Sequence, residues 1–198
     1  MSNQLLFATS NPHKLEEVRS ILDSSFIIDG LDSLEFEGEI PETQDTIEGN
    51  AIQKVNFISQ FTAAAVFAED TGLIVPQLGG APGVYSARYA GEQKSDQDNM
   101  AKLLEALDNQ SYDRKAYFRT VIAFRDPEGE ISTFTGEAHG RISTESKGDK
   151  GFGYDPIFIP DGYDQTFAEL GEDIKNRISH RGKALGRFID FLKQKGTG

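Results

Sequence analysis

A short apolar segment near the middle of the chain, Ala65 to Val75, is interrupted by two adjacent carboxylates, Glu69 and Asp70. Its β-favouring side chains predict a buried strand that ends in Glu-Asp-Thr-Gly and carries the carboxylates to the rim of a sheet. Ligands of α/β proteins bind at such rims. Because adjacent carboxylates repel each other, the pair favours a bound cation such as Mg²⁺. We therefore predict the centre of the active site here; the alternative is a solvated acidic turn in which Gly72 supplies an unusual backbone angle.

The beginning of the chain predicts a strand, a loop and a helix in direct succession. Leu5 to Ala8 has the pattern of a strand, and apolar residues at helical spacing begin at Leu15. Asn11 suits the N-cap of that helix, and Pro12 suits its first turn. Free backbone N–H groups and hydroxyls favour a phosphate-binding loop, which comprises Thr9, Ser10, Asn11, Pro12, His13 and Lys14. The spacing is not that of a P-loop, and many capped turns of this kind bind nothing.

Composition limits the classes of protein that the chain can represent. Its 198 residues, 37% of them hydrophobic, suit a single domain, residues 1–198, with a sizeable core. The absence of Cys excludes disulfides, thiolate catalysis and Cys-ligated zinc, and it suits the reducing cytoplasm. A net charge of -12 disfavours a nucleic-acid polymer as partner, whereas a small anion needs only a few local cations. We also expect no membrane span and no signal peptide.

A helix predicted after residue 45 carries two polar residues on one face. Asp45 and Glu48 have the spacing of a capping box, which predicts a helix that continues to about Phe61. Asn50 and Lys54 lie four residues apart on this helix and so share a face. A solvent-exposed surface pair is the simplest interpretation of these two residues.

Periodicity and turn signals place the other elements. A helix is predicted after a cap at Ser95, and a C-terminal helix is predicted from an apolar stripe between Leu185 and Leu192. An ordered, functional loop is expected at residues 79–91, which are rich in Gly and Pro yet aromatic. A type I turn at Asp126-Pro127-Glu128-Gly129 predicts a long β-hairpin. The predicted strands are residues 26–28, 116–124, 131–142 and 156–160.

Two further stretches have compositions that suit ligand binding. Gly151 to Pro156 places aromatic rings between glycines, where a flat ligand could approach the backbone and stack on a ring. Rings packed into the core of a tight turn are the alternative. Residues 175–183 collect cations and hydrogen-bond donors in an acidic chain, which suits carbonyl and phosphate oxygens. The same stretch is also consistent with the end of one helix and the start of another.

Six motifs occur in order along the chain, and the ordered set is far more specific than any one of them. They are residues 9–14, Glu42 with Asn50-Ala51 and Lys54, residues 69–73, residues 82–89, residues 151–158, and Ser179-His180-Arg181 with Ala184-Leu185. Together they resemble the motifs of the inosine triphosphate pyrophosphatase family, whose members hydrolyse deaminated purine nucleoside triphosphates. The resemblance extends from Phe7 to Leu185. Glu69 stands where many members have Asp, and Thr71 where many have Ser, so both departures keep the functional group.

The resemblance implies an α/β fold, a two-lobed mixed β-sheet flanked by helices with a central substrate cleft. It also implies a homodimer and a requirement for Mg²⁺. The implied reaction is hydrolysis of ITP, dITP and XTP to the nucleoside monophosphate and pyrophosphate. Splitting a phosphoanhydride needs charge neutralisation and an oriented water rather than a covalent nucleophile, so the lack of Cys is no obstacle.

The resemblance also implies roles for individual residues. Asp70 resembles the general base that activates water, and Glu42, Glu69 and Asp70 resemble the carboxylates that handle the metal. The loop of residues 9–14, together with Lys54, resembles the triphosphate-binding set, and Thr71 resembles a further substrate contact. Phe152 resembles the ring that stacks on the base, with Gly153, Tyr154 and Asp155 nearby. The residues that resemble the base-reading and phosphate-contacting set are Lys175, Ser179, His180 and Arg181.

Two other functions stay open at this point. One is a pyrophosphatase for other modified or pyrimidine nucleotides. The other is a nucleotide sensor without enzymatic activity. The acidic residues Glu42, Glu69 and Asp70 argue against the sensor, because binding alone does not need them.

Overall fold

The computed structural model describes residues 4–22, 26–109 and 112–196. These residues form two compact units. The first unit is drawn from residues 1–70, 120–136 and 182–198, and the second from residues 71–119 and 137–181. The first division between them falls after Asp70, inside the segment that we predicted as the centre of the active site.

Parallel strands begin the first unit. The strand β1 (Gln4–Phe7) pairs in parallel with β2 (Ile27–Asp29) and with β3 (Val66–Ile74). In the register between β1 and β3, Phe7 lies opposite Phe67, and their rings stack with centroids 4.5 Å apart. The predicted first and second strands are therefore confirmed, each shifted by one residue.

Two helices of the first unit begin at polar caps. The helix α1 (Pro12–Ile21) follows Asn11, as predicted, and Pro12 occupies its first turn. The helix α2 (Ile47–Ile58) begins after Thr46, whose hydroxyl accepts a hydrogen bond from the backbone N–H of Gly49. The predicted cap at Asp45 is therefore wrong by one residue. The helix also ends at Ile58 instead of Phe61.

The strand β3 is longer than predicted: we expected it to end in Glu-Asp-Thr-Gly at the rim of the sheet. It continues through both carboxylates to Ile74. Within the second unit, Leu73 donates its backbone N–H to the hydroxyl of Ser86 and pairs with Gly83. These partners satisfy the backbone beyond the carboxylates, so the strand does not stop at the acidic pair.

The core of the first unit lies where α1 and the C-terminal helix α6 (His180–Gly196) pack on the sheet. The apolar stripe predicted for α6 supplies Leu185, Phe188 and Leu192, all of which are buried. The other buried members are Leu5, Phe7, Val18, Leu22, Ile28, Phe67, Ile122, Phe124 and Ala184. Phe67 thus anchors the strand that carries the acidic pair in this core.

A capped helix and a long hairpin belong to the middle of the chain. The helix α3 (Asp96–Ala106) follows Ser95, whose hydroxyl accepts from the N–H of Asp98, as predicted. The strands β5 (Lys115–Arg125) and β6 (Ile131–Ile142) confirm the predicted hairpin. Its turn closes with a 3.0 Å hydrogen bond from the N–H of Gly129 to the carbonyl of Asp126.

Shorter elements complete the second unit. The strand β4 (Pro82–Gly83) and a 3₁₀ turn at Ser86–Arg88 order the Gly- and Pro-rich loop. The predicted strand at 156–160 is shorter than expected, because residues 155–157 form a 3₁₀ turn and β7 begins only at Phe158. The remaining elements are β7 (Phe158–Pro160), α4 (Phe167–Leu170) and α5 (Glu172–Ile178).

Within the described parts of the chain, seven strands form one mixed sheet in the order β2-β1-β3-β5-β6-β7, with β4 paired to β3. β1 runs parallel to both neighbours, whereas β4 and β7 run antiparallel to theirs. The predicted α/β class with a mixed sheet is confirmed. No helix in the described ranges has both the length and the apolar character needed to cross a bilayer.

Candidate active site

Successive side chains of a strand point to opposite faces, and this separates Glu69 from Asp70 on β3. Glu69, with only 1% of its side chain exposed, forms an ion pair with Lys14 of α1 at 3.2 Å between Oε1 and Nζ. Asp70 Oδ1 accepts a 2.9 Å hydrogen bond from Nζ of Lys54 on α2. Glu69 and Asp70 are therefore each paired with a different lysine, which allows the interior of a strand to hold both carboxylates.

Lys54 is a buried cation shared by three oxygens. In addition to Asp70, its Nζ donates to the backbone carbonyl of Glu69 at 3.0 Å and forms an ion pair with Glu42. Burial disfavours the charged form of Lys54, but Asp70 and Glu42 outweigh that cost and raise the pKa of Lys54 above its ordinary value. Lys54 therefore remains an ammonium at neutral pH and holds the carboxylates of Glu42 and Asp70 at one point.

Asn50 lies beside Lys54 on α2, and the prediction of a solvent-exposed pair is wrong. Asn50 is 1% exposed and Lys54 is 5% exposed. The Nδ2 of Asn50 donates to Asp70 Oδ2 at 3.3 Å, and its Oδ1 accepts from the backbone N–H of Gln44 at 2.9 Å. The shared face of α2 packs on β3 and not toward solvent, because Asp70 supplies a partner for both side chains.

The predicted phosphate-binding loop leads into α1 through a capped turn. Asn11 Oδ1 accepts from the backbone N–H groups of His13 and Lys14 at 3.0 and 3.3 Å, and Thr9 Oγ1 accepts from the N–H of Asn11. A cavity of about 400 Å³ opens at this loop. It is lined by Thr9, Ser10, Asn11 and Pro12 and by part of the stretch between residues 30 and 38. The loop thus combines a helix N-terminus with an adjoining cavity and the cation Lys14.

In the second unit, Asp155 organises the glycine-rich turn. It is 2% exposed, and its Oδ2 accepts from the backbone N–H of Phe152 at 3.0 Å and from Lys175 Nζ at 2.8 Å. Gly151 has φ +77°, and a Cβ at this position would collide with Asp155 Oδ2. Glycine is therefore needed for both its conformation and its size. The turn holds the half-buried ring of Phe152 on a fixed backbone.

The other ring of this turn, Tyr154, is packed into the core. Its hydroxyl donates to the carbonyl of Ser86 at 2.9 Å, and burial raises the pKa of Tyr154 well above its ordinary value. The backbone N–H of Gly153 donates to Asp96 Oδ2 at 2.7 Å. Tyr154 thus follows the alternative that we gave for this turn, whereas Phe152 keeps part of its ring accessible.

Two buried cations lie beside the Phe152 ring. Lys175 Nζ is 4.7 Å and Arg181 Cζ is 5.4 Å from the ring centroid. His180 stacks on Phe118 with centroids 4.5 Å apart, and Ser179 is fully buried between α5 and α6. The stretch is therefore a helix junction, as one interpretation predicted, and it also gathers cations around an accessible ring.

The positions of Glu42, Glu69 and Asp70 can be compared with the predicted Mg²⁺ site. No group of three or more Asp, Glu, His or Cys side chains suited to hold a metal ion occurs among the described residues. Glu42 and Asp70 share one ammonium group, whereas Glu69 faces Lys14. Mg²⁺ usually takes only one or two carboxylates from a protein, with water and substrate phosphates as the other ligands. Glu42 and Asp70 therefore fit a Mg²⁺–phosphate complex.

Several site residues were missed or underestimated from the sequence. Asn50 had a signal in its spacing from Lys54, but nothing in the sequence indicated its contact with Asp70. Asp96 resembled an ordinary first-turn residue of a helix, and Ser86 was indicated only as part of the motif of residues 82–89, with no role of its own. Thr71, which we predicted as a substrate contact, is half-buried directly after Asp70 and is the first residue of the second unit.

Comparison with known proteins assigns this arrangement to a family. The dITP/XTP pyrophosphatase of Porphyromonas gingivalis is 51% identical over 189 residues, with 96% of this chain and 97% of that protein covered. The dITP/XTP pyrophosphatase of Bacillus subtilis is 44% identical over 192 residues, with 96% and 97% covered. The structure of the Staphylococcus aureus Ham1 protein superposes with a TM-score of 0.89 at 38% identity, with 97% of this chain and 99% of that chain covered. The family model of the Ham1 family matches residues 5–191, and the chain belongs to the Ham1 family.

Proposed function

We propose that this protein hydrolyses the deaminated purine nucleoside triphosphates ITP, dITP and XTP to the nucleoside monophosphate and pyrophosphate. The observation that carries the proposal is the buried Asp70 carboxylate, which is held by Lys54 on one oxygen and by Asn50 on the other. Relatives named dITP/XTP pyrophosphatase, 42–51% identical over almost the whole chain, support the choice of substrates.

The triphosphate binds to cations of the first unit, beside the N-terminus of α1, in this proposal. Lys14 and Lys54 supply two ammonium groups, and the loop of residues 9–14 supplies a helix N-terminus beside a cavity. The ammonium group of Lys14 is already paired with the buried carboxylate of Glu69. A phosphate group would therefore join this ion pair, and no isolated charge would have to be desolvated when it binds. Thr71, next to Asp70, is proposed as a further substrate contact.

Glu42 and Asp70 would hold Mg²⁺ together with phosphate oxygens, and Glu69 would add negative charge from the other face of β3. Bound there, Mg²⁺ would neutralise charge on the phosphates during bond cleavage. Carboxylate oxygens are the donors that this ion prefers, and both side chains meet at the same ammonium group. Lys54 would then share these carboxylates with a second cation.

Asp70 acts as the general base in this proposal. It accepts a proton from water, the water oxygen forms a new bond to phosphorus, and the bond between the α and β phosphates breaks to release pyrophosphate. Lys54 and Asn50 keep the carboxylate in place, since each occupies one of its two oxygens. No covalent intermediate with the protein is required.

The base is recognised by residues of the second unit in this proposal. Phe152 supplies a stacking surface, and Lys175 and Arg181 are cationic donors beside it. Hypoxanthine and xanthine present a carbonyl acceptor at purine position 6, where adenine presents an amino donor. Donors from Lys175, Ser179, His180 and Arg181 therefore favour the deaminated bases. Gly153, Tyr154 and Asp155 hold the turn that carries Phe152.

Product analysis tests the proposed function directly. Incubated with Mg²⁺ and ITP, the protein is expected to release IMP and pyrophosphate in equal amounts, and ATP is expected to be a poor substrate. Anion-exchange chromatography of the products makes the measurement. Stepwise appearance of IDP and free phosphate would contradict the mechanism, and cleavage of modified pyrimidine nucleotides in preference to ITP would contradict the substrate class. Binding of ITP without turnover would indicate a sensor.

A homodimer, which the family resemblance implies, and a cytoplasmic location, which the absence of Cys favours, remain predictions. Size-exclusion chromatography with light scattering would measure the oligomeric state. A monomeric mass at micromolar concentration would contradict the predicted dimer.

A further inference from the structure

Asn50 is a residue of α2, almost fully buried, and its side chain bonds to Asp70 on β3. Its Oδ1 accepts from the backbone N–H of Gln44, and its Nδ2 donates to Asp70 Oδ2. A backbone N–H can only donate, so the amide oxygen of Asn50 must face Gln44 and its NH₂ group must face Asp70. The chemistry of the two neighbours thus determines the orientation of the amide.

The two oxygens of Asp70 consequently have different partners. Oδ1 binds the charged Nζ of Lys54 at 2.9 Å, and Oδ2 binds the neutral amide of Asn50 at 3.3 Å. The terminal torsion of an Asp side chain is broad when nothing restrains it. Two donors on separate oxygens fix the plane of the carboxylate and leave further lone pairs for a water molecule.

Asn50 also connects Asp70 to the loop that carries Glu42. This loop is fastened to α2 at two places. Gln53 accepts from the N–H of Thr43 at 2.9 Å and donates to its hydroxyl at 2.8 Å, and Asn50 accepts from Gln44. Of these two amides, Asn50 is the one whose other end bonds to Asp70. The loop and Asp70 are therefore joined by a neutral link in addition to the ionic link through Lys54.

We propose that Asn50 is a positioning residue for hydrolysis: it fixes the plane of the Asp70 carboxylate and holds the Glu42 loop in register with it. The proposal rests on the function proposed above. Loss of the Asn50 donor should slow the chemical step while substrate affinity is largely kept, because the side chain of Asn50 bonds to Gln44 and Asp70 and not to the phosphate-binding loop of residues 9–14.

The test compares two amide-to-acid substitutions on the same helix. Asn50→Asp keeps an acceptor for Gln44 but turns a carboxylate oxygen toward Asp70, whereas Gln53→Glu adds the same charge without touching Asp70. Asn50→Asp is expected to lower kcat by about 10²-fold with little change in KM, because a small misplacement of a reacting group costs about that much. Gln53→Glu is expected to keep a kcat close to that of the wild type, because the new carboxylate still accepts from the N–H of Thr43 and can accept from its hydroxyl, so the Glu42 loop stays fastened.

A stability cycle keeps the test independent of activity. Asn50→Asp should lower Tm, and the double variant Asn50→Asp with Asp70→Asn should recover much of the loss. The reason is that the amide introduced at position 70 can donate to the carboxylate introduced at position 50, which restores the bond in reverse.

Three results would overturn the inference. Equal losses of kcat in Asn50→Asp and Gln53→Glu would show a general effect of charge, and an unchanged kcat in Asn50→Asp would show that the bond is dispensable. Additive Tm losses in the double variant would show that the two side chains are not coupled. If the wild-type protein itself releases no IMP and pyrophosphate from ITP, the proposed function fails, and that result is distinct from any of these three.

Discussion

At the scale of single residues, the ion pairs of β3 explain how a strand interior holds two adjacent carboxylates. The alternation of the strand sends Glu69 to Lys14 and Asp70 to Lys54, so each negative charge is matched on its own face. The sequence indicated that the pair was functional, but it placed the pair at the end of the strand. The sequence around Glu69 and Asp70 cannot show that these carboxylates are buried beside lysines, because both lysines lie on helices earlier in the chain.

Lys14→Ala is expected to weaken substrate binding more than it slows the reaction. The variant removes a cation beside the phosphate-binding loop, and hydrogen bonds to charged groups contribute about 1.5–3 kcal/mol. KM for ITP should therefore rise about 10-fold or more while kcat changes less. Initial-rate kinetics with ITP and Mg²⁺ make the measurement. Because Lys14 also pairs with buried Glu69, Tm should fall as well.

The matched control for Lys14 is Lys115→Ala. Lys115 has 81% of its side chain exposed and pairs only weakly with Asp113 at the surface. Lys115→Ala removes one positive charge, as Lys14→Ala does, and should leave KM for ITP unchanged. A rise of KM in both variants would mean that net charge, not a direct contact, governs affinity, and an unchanged KM in Lys14→Ala would exclude Lys14 from phosphate binding.

At the scale of secondary-structure elements, caps and periodicity predicted the helices and the hairpin well. Asn11 with Pro12 and Ser95 mark the starts of α1 and α3, because these side chains satisfy N–H groups that the helix leaves open. The error at α2 arose where two adjacent residues could serve as cap and Thr46 bonded to Gly49. The strand at Phe158 was predicted too early, because the 3₁₀ turn before it has a similar apolar composition.

The helix junction between α5 and α6 carries a prediction about selectivity. Arg181→Ala is expected to lower kcat/KM for ITP much more than for ATP, since a donor matched to a base acceptor discriminates by about 1–3 kcal/mol. Phe152→Ala should weaken both substrates alike, because every base can stack on a ring and stacking contributes about 1–3 kcal/mol. The ratio of kcat/KM for ITP and ATP in each variant is the quantity to measure.

Arg177→Ala on the neighbouring helix is the control for this comparison. Arg177 is exposed and donates to the carbonyl of Asp173 on its own helix. Arg177→Ala removes one positive charge, as Arg181→Ala does, and should leave the ratio of kcat/KM for ITP and ATP unchanged. If Arg181→Ala slows both substrates equally, Arg181 contacts phosphate or supports the fold, and the junction does not read the base.

At the scale of the whole molecule, the candidate residues come from many separate segments of the chain and form two groups, one in each unit. The carboxylates, lysines and phosphate-binding loop belong to the first unit, and the Phe152 turn with its cations belongs to the second. Sequence patterns predicted most of these residues individually. They could not predict contacts such as Lys54 with Asp70 or Gly153 with Asp96, because such pairs depend on how distant segments pack.

The C-terminal helix carries a prediction about stability and pH. Lys195 Nζ lies 2.8 Å from Asp126 Oδ2 and 3.5 Å from Glu130, and its hydrogen bond to Asp126 holds the pKa of Asp126 below its ordinary value. A lowered folded pKa stabilises the protein above the unfolded pKa of Asp, about 3.9, and this contribution is lost as pH falls through the folded value. Asp126→Asn should therefore lower Tm at pH 7.

The Tm difference between wild type and Asp126→Asn should begin to shrink below about pH 4, where the unfolded chain becomes protonated, and should be lost as the pH falls through the lower folded pKa of Asp126. Calorimetry across pH 3 to 7 in both proteins makes the measurement. The substitution keeps the Oδ1 acceptor for the N–H of Glu130, so the loop bond is retained and the ion pair is isolated. A Tm difference that is constant across this range would mean that the pair does not contribute.

The rate of pyrophosphate release from ITP by Asp70→Asn tests the central claim most directly. Single-turnover experiments with Mg²⁺ would compare this variant with the wild type and with Asp29→Asn, a surface substitution on β2 whose side chain bonds to Gln4. Removal of a positioned general base is expected to slow Asp70→Asn by about 10²- to 10⁴-fold, with bound ITP still detectable, while Asp29→Asn keeps the wild-type rate. Release of pyrophosphate at the wild-type rate by folded Asp70→Asn would contradict the account.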